Sequence, residues 1–109
     1  MAEQHPVDRL YAAILARKGT DPKRSYTAQL MKRGVAQCAK KLGEEGVEAA
    51  IAAVRGRKKE IVDESADVLY HLLVLWAATG VKPKAVYDVL AAREGRSGLA
   101  EKKARKKTK

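Results

Sequence analysis

A single cysteine, Cys38, stands among the 109 residues, so no internal disulfide can form. With only His5 and His71 beside it, the chain cannot assemble a structural zinc site by itself. Such cysteine usage suits a reducing compartment. Long hydrophobic runs are equally scarce. VLYHLLVLWAA, from Val68 to Ala78, is the longest; it falls short of the roughly 20 residues that cross a bilayer, and His71 interrupts it. It reads as a buried helix, and no membrane partner is expected. The opening MAEQHPVDRL has neither the basic start nor the continuous apolar stretch of a secretory signal, and Pro6 and Asp8 break it, so a cytoplasmic location is expected. No segment alternates with period two, and no internal repeat is visible. The length allows one modest core and excludes two, so residues 1–109 are expected to form one domain.

The periodicity that is present is helical, and it predicts an all-α domain, a helical bundle. Val7, Leu10, Tyr11, Ile14 and Leu15 recur at i, i+3, i+4, i+7 and i+8 and stop before Lys18-Gly19. After the turn-rich linker GTDPKR, Ser25 can cap a short helix that runs to about Arg33 and breaks at Gly34. A long helix is predicted from Val35 to about Arg55, with Val35, Cys38, Ala39, Leu42, Ala50 and Ala53 on one inward face. Gly56 stops it, another helix runs from near Lys58 to Thr79, Gly80 ends that one, and Pro83 opens a further helix to about Arg93. REGRSG then reads as a loop, and GLAEKKAR as one or two more helical turns.

Charge is spread unevenly. The formal net charge is +10, and the end EKKARKKTK, Glu101 to Lys109, sets six basic residues against one acidic and is expected to fray. Seven of the thirteen acidic residues nevertheless fall between Glu44 and Asp67, a stretch with only four basic ones. Glu45 and Glu48 are i, i+3 on one helix, with Glu44 one step further round, and Glu64 and Asp67 repeat that spacing on the next helix. The short RGRKK connection favours an antiparallel hairpin in which these four carboxylates converge. Glu64, beside the stripe of Ile61, Val68, Leu72 and Leu75, belongs at the edge of the core. Carboxylates gathered there repel one another and resist desolvation, so either their pKa values rise or a cation compensates. Oxygen-only donors in small number suit Mg²⁺ shared with substrate phosphates, which points to polyphosphate chemistry. Lys40, Lys41 and the basic residues from Arg55 to Lys59 flank the cluster and can meet phosphate oxygens.

The plain alternative is a solvated helix face laced with ion pairs such as Lys40 with Glu44 and Lys41 with Glu45. Against it, Glu60 with Glu64 and Asp63 with Asp67 are like-charged i, i+4 pairs that destabilise an ordinary helix. Gly43 and Gly46 each cost roughly 1 kcal/mol inside a helix relative to alanine. Close approach of a ligand or tight packing against another helix explains them, and for Gly46 packing is the simpler account. His71 lies i+7 from Glu64 and i+4 from Asp67, so it could face the site as a proton carrier or as a partner to one of the carboxylates, and a partly buried histidine satisfied by hydrogen bonds is the expected reading. Trp76 reads as core and Cys38 as a small buried hydrophobe, so no catalytic thiol is expected. The basic composition also raises nucleic-acid binding. The acidic stretch would repel a phosphate backbone, and no helix carries a basic stripe with interleaved aromatics, so no nucleic-acid partner is expected.

Four stretches, in order, resemble the phosphoribosyl-ATP pyrophosphatases of histidine biosynthesis, within the larger MazG-like group of all-α nucleotide pyrophosphohydrolases. They are SYTAQLMKRG (Ser25 to Gly34), KKLGEEGVEAAIAA (Lys40 to Ala53), ESADVLYHLLVL (Glu64 to Leu75) and SGLAEKKAR (Ser97 to Arg105). ExxE followed by ExxD marks the larger group; SYTAxL and the SGxxEK-like ending mark the phosphoribosyl-ATP branch. Gly46 departs from the alanine expected there and leaves the carboxylates untouched. The resemblance implies Mg²⁺-dependent hydrolysis of phosphoribosyl-ATP to phosphoribosyl-AMP and pyrophosphate, the second step of the pathway. It implies Glu45, Glu48, Glu64 and Asp67 as metal ligands and Glu44 as a further acidic site residue, with Glu44 or Glu45 positioning or deprotonating the attacking water. Lys41 is the first candidate for phosphate contact, with Arg93 and Lys102 behind it, and Tyr26 is a candidate for stacking on a nucleobase or touching a phosphate. A homodimer is also implied, and it would cover the apolar faces that so few helices leave open. The zinc-dependent cyclohydrolase domain to which some members are joined is expected elsewhere, because the length and cysteines for it are missing. Another nucleoside triphosphate is the alternative substrate, since the carboxylates read only metal and phosphate.

Overall fold

The computed structural model describes residues 4–95, 98–99, 102–103 and 105; these contain helices and no strand. Helix α1, Pro6–Arg17, places its proline in the first turn, where a missing N–H costs nothing, and His5 Nδ1 accepts the Val7 N–H at 3.1 Å. Helix α2, Tyr26–Arg33, opens on Ser25, whose Oγ accepts the Ala28 N–H at 3.1 Å. Helix α3, Val35–Arg55, follows across Gly34, and α4, Lys58–Thr79, follows across Gly56. Gly56 has a φ of 70°, which lets its own N–H and that of Arg57 turn back onto the carbonyls of Ala53 and Ala52 at 3.0 and 3.4 Å. Helix α5, Pro83–Arg93, opens on Pro83. Gly98, Leu99, Lys102, Lys103 and Arg105 also have helical backbone and are exposed, while the other residues of REGRSG and of the basic tail that were read above, Arg96, Ser97, Ala100, Glu101, Ala104 and 106–109, lie outside the described residues.

Helices α3 and α4 run along each other as an antiparallel hairpin, the most extensive contact in the fold, with α1 packed chiefly on α4 and α2 on α3. Ile14, Leu30, Cys38, Leu73, Val74 and Ala77 close the core where these elements meet. The Cys38 thiol donates to the Leu30 carbonyl at 3.5 Å, and burial pushes its pKa up, so it acts as the small hydrophobe expected. Tyr87 Oη donates to Asp8 Oδ1 at 3.0 Å and Tyr11 Oη to the Val81 carbonyl at 2.9 Å, which ties α5 and its approach to α1. No helix among the described residues is long and apolar enough to cross a membrane.

The inward face of α3 differs from the one expected. Cys38, Leu42, Glu45, Ala49 and Ala52 are its buried or half-buried stripe, whereas Val35, Ala39, Ala50 and Ala53 are exposed. Steps of four, three, four and three residues give a period of 3.5, the narrow seam of one helix lying along another. A stripe assembled from apolar residues alone passes over Glu45, the residue the seam includes. On α4, Ile61, Glu64, Val68, His71 and Leu75 follow the same spacing and are buried or half-buried.

Candidate active site

Because Glu45 sits in the seam of α3 and Glu64 in that of α4, the hairpin forces their carboxylates together, with Asp67 one turn beyond Glu64. One carboxylate oxygen from each of Glu45, Glu64 and Asp67 lies within 4.8 Å of the other two; Glu45 and Glu64 are half-buried and Asp67 is exposed. Glu64 Oε2 is sealed from solvent and has no donor to satisfy it. Burial raises the Glu64 pKa, and the charges of Glu45 and Asp67, a side-chain hydrogen bond with Glu45 and the charge of Glu48 raise it further. Cations do compensate the outward acids: Lys59 Nζ donates to Asp63 at 2.8 Å and an Arg57 guanidinium nitrogen to Glu60 at 3.1 Å. The like-charged i, i+4 pairs are thereby relieved on their solvent side only. Among the described residues no basic side chain pairs with Glu64 or Asp67.

This donor set fits a hard divalent cation. Three carboxylate oxygens within 4.8 Å of one another are hard donors of the kind that Mg²⁺ takes, and Glu45, Glu64 and Asp67 are the residues that would hold it. The orphaned Glu64 oxygen is the atom such an ion would satisfy. Glu48, on the exposed side of α3, is not one of the three converging groups, although its charge acts on Glu64. The structure thus brings together three of the four carboxylates expected as ligands and leaves the fourth at the rim.

Glu44 faces outward and pairs with Lys41 Nζ at 3.2 Å, and this contact is the first cause of the raised Lys41 pKa. The pairs that the plain alternative offered, Lys40 with Glu44 and Lys41 with Glu45, give way to this i, i+3 bridge, because Glu45 turns into the seam and leaves Glu44 to the lysine. Tyr26, half-exposed at the start of α2, stacks against Tyr70 with ring centroids 6.4 Å apart and planes 21° from parallel. The hydroxyls of Thr27 and Tyr70, 43 residues apart, hydrogen-bond beneath it. Nothing in the sequence pattern pairs those two; only the packing of α2 on α4 does.

His71 departs from expectation. It is buried, at 5% exposure, and its Nδ1 is sealed without a hydrogen-bond partner. The edge-on rings of Tyr26 and Tyr70, at centroid distances of 6.2 and 5.0 Å, occupy its surroundings and offer carbon where an acceptor was expected. Burial lowers its pKa, with Glu45 pulling the other way, so the ring is held neutral near neutral pH. Gly43 and Gly46 also correct the reading above: a Cβ added at either meets nothing within 4 Å, so neither is there to let another helix of this chain approach. Arg93 ends α5 and lines a hollow of about 400 Å³ with Ala85, Val86, Val89 and Leu90. Lys102 is helical and exposed.

A protein-family model described as phosphoribosyl-ATP pyrophosphohydrolase matches residues 7–94. The chain belongs to the phosphoribosyl-ATP pyrophosphohydrolase family. Curated relatives agree. A phosphoribosyl-ATP pyrophosphatase of Azospirillum brasilense is 61% identical over 100 residues, covering 92% of this chain and 90% of that one. That of Parvibaculum lavamentivorans is 57% identical over 104 residues, 95% of each chain. The Gluconobacter oxydans protein of the same name is 53% identical over 103 residues, 94% of this chain and 77% of its own length. The family match runs from the second residue of α1 to just past the end of α5, so Tyr26, Lys41, every carboxylate of the site and Arg93 fall within it, while Lys102 lies beyond its end.

Proposed function

We propose that this chain hydrolyses phosphoribosyl-ATP to phosphoribosyl-AMP and pyrophosphate with Mg²⁺, the second step of histidine biosynthesis, as a cytoplasmic homodimer. The observation that carries the reading is the convergence of Glu45, Glu64 and Asp67 within 4.8 Å, with no ion pair to any of the three among the described residues, in a member of this family. Glu45, Glu64 and Asp67 would hold Mg²⁺, with Glu48 reaching it from the rim. Bound there, the ion supplies Lewis acidity, neutralising phosphate charge and easing deprotonation of water. Glu45 is committed to the seam, which leaves Glu44 as the carboxylate that positions the attacking water and accepts its proton. Lys41 Nζ, 3.2 Å from Glu44, can exchange that contact for a phosphate oxygen, freeing Glu44 for the water as substrate arrives. The exposed face of Tyr26 offers a surface for the adenine ring, and Arg93 and Lys102 are further candidates for phosphate contact.

Dimerisation is supported by what one chain leaves open. Val47, Ile51 and Val54 lie exposed along the outer side of α3, and the radius of gyration is 16.1 Å, where a compact chain of this length has about 13 Å. A second copy covering that side would complete the bundle. The activity is tested by pyrophosphate release from phosphoribosyl-ATP, with and without Mg²⁺, beside a panel of ordinary and modified nucleoside triphosphates. Metal-dependent release selective for phosphoribosyl-ATP is the expected result. Release from another triphosphate alone would keep the carboxylate chemistry and overturn the substrate, and no release from any would overturn both.

A further inference from the structure

A buried polar atom without a partner costs free energy, so native structures that keep one keep it for a reason. His71 is such a case, and its position supplies the reason. It lies one turn beyond Asp67 and two beyond Glu64 on α4, and Asp67 carries an oxygen within 4.8 Å of one of Glu45. Tyr26 and Tyr70 meet the imidazole edge-on and restrict its plane. Of the charges around the ring, Glu45 acts most strongly, ahead of Lys41, Asp67 and Glu44. An ionised carboxylate only accepts hydrogen bonds, and a neutral imidazole always has one N–H to give.

We infer that His71 is a positioning residue: in the cation-loaded site a ring N–H donates to the Glu45 carboxylate and fixes which oxygen Glu45 turns toward the ion. The inference rests on the proposed cation site and goes beyond it, because it gives a role to a residue that touches neither cation nor substrate. A carboxylate that ligates a metal has a second oxygen and a free rotation about its last bond. A donor held by packed rings removes that rotation, and losing such an outer partner weakens metal binding about 10- to 100-fold. The same side chain is a cost to the metal-free chain, where its sealed nitrogen goes unpaired. Cation affinity and the stability of the metal-free fold should therefore move in opposite directions when it is replaced.

The test measures binding of Mn²⁺ alone, by the resonance signal of the free ion, to the wild-type chain and to His71→Leu and His71→Gln, together with melting of each in chelator. In His71→Leu, Mn²⁺ affinity should fall about 10- to 100-fold while the chelated chain melts no lower than wild type. His71→Gln, which keeps an N–H donor, should recover most of the affinity. In a Glu45→Gln background, His71→Leu should add no further loss, since the group it positions is already gone. His71→Met makes the same comparison should the leucine variant fail to fold. Unchanged Mn²⁺ affinity in a folded His71→Leu chain, or a loss of equal size in the Glu45→Gln background, overturns the inference while leaving the cation site standing. A wild-type chain that binds no Mn²⁺ overturns the cation site, and the role of His71 with it.

Discussion

Asp67 and Glu48 should not cost the same when neutralised. Asp67 is one of the three converging groups and has no cation of its own, so Asp67→Asn should reduce Mg²⁺-dependent turnover more than 100-fold, beyond the range of about 10- to 100-fold for outer-shell partners. Glu48→Gln, at the rim, should fall inside that range. Both variants should keep the helical circular-dichroism signal, and undiminished turnover in Asp67→Asn would remove the cluster as a metal site. Glu64 adds a dependence on pH. Its folded-state pKa lies above the unfolded value, through burial first and then the charge of Glu45, so between those two values the folded chain binds more protons than the unfolded one. Without metal, stability is therefore full below the unfolded carboxylate value and declines as pH rises through the raised one. His71 works in the opposite sense: its depressed pKa contributes stability above the ordinary imidazole value of about 6.5 that is lost as pH falls. Melting temperatures in chelator from about pH 4 to 7, compared between wild type and Glu64→Gln, separate the two. The glutamine variant should lose the decline through the carboxylate range and keep the histidine dependence. Mg²⁺ should raise the melting temperature of wild type and leave Glu64→Gln nearly unmoved, since a ligand that binds only the folded state stabilises it.

At the scale of the helix, every end was written locally and could be read locally. Ser25 caps α2 with its own side chain, Gly34 and Gly56 interrupt the chain on either side of α3, and Pro83 opens α5. Gly56 carries the hairpin, and Gly56→Ala should cost about 1–2 kcal/mol in a urea titration, because an L-residue resists the left-handed φ of 70° found there. Gly46→Ala should do the reverse, stabilising by roughly 0.5–1 kcal/mol with turnover unchanged, since α3 is ordinary helix at that point and the new methyl meets nothing. A destabilised Gly46→Ala chain would mean that something outside this chain packs there. The carboxylates that share a helix were legible for the same reason, as i, i+3 spacing is local. Which of two adjacent glutamates turns inward was not. A step of one residue rotates a side chain by about 100°, and only the 3.5-residue seam with α4 sends Glu45 in and Glu44 out. The Thr27–Tyr70 hydrogen bond and the unpaired His71 lay further out of reach, being properties of how α2 crosses α4 and of no single stretch.

For the molecule as a whole, the decisive quantity is how little apolar surface one chain hides. Among the described residues eight hydrophobic ones are buried, and the largest of these, Ile14, Leu30 and Leu73, lie where α1 and α2 meet the hairpin rather than along its outer side. There α3 shows Val47, Ile51 and Val54 at spacings of four and three residues, the mark of a second seam without a helix in it. A homodimer that fills it should sediment at twice the mass of one chain, and its melting temperature should rise with protein concentration, because association stabilises the folded state by mass action. Val47→Glu and Ile51→Glu, each placing a charge in that seam, should shift the chain to monomer and abolish the concentration dependence. Sedimentation of the wild type as a monomer across the micromolar range would refute the pairing. The cation site gives the dissociated variants a further use. Glu45, Glu64 and Asp67 all come from one hairpin of one chain, so a monomeric Ile51→Glu variant that stays helical should still bind Mn²⁺. If its turnover falls while that binding persists, the second copy serves the substrate rather than the metal.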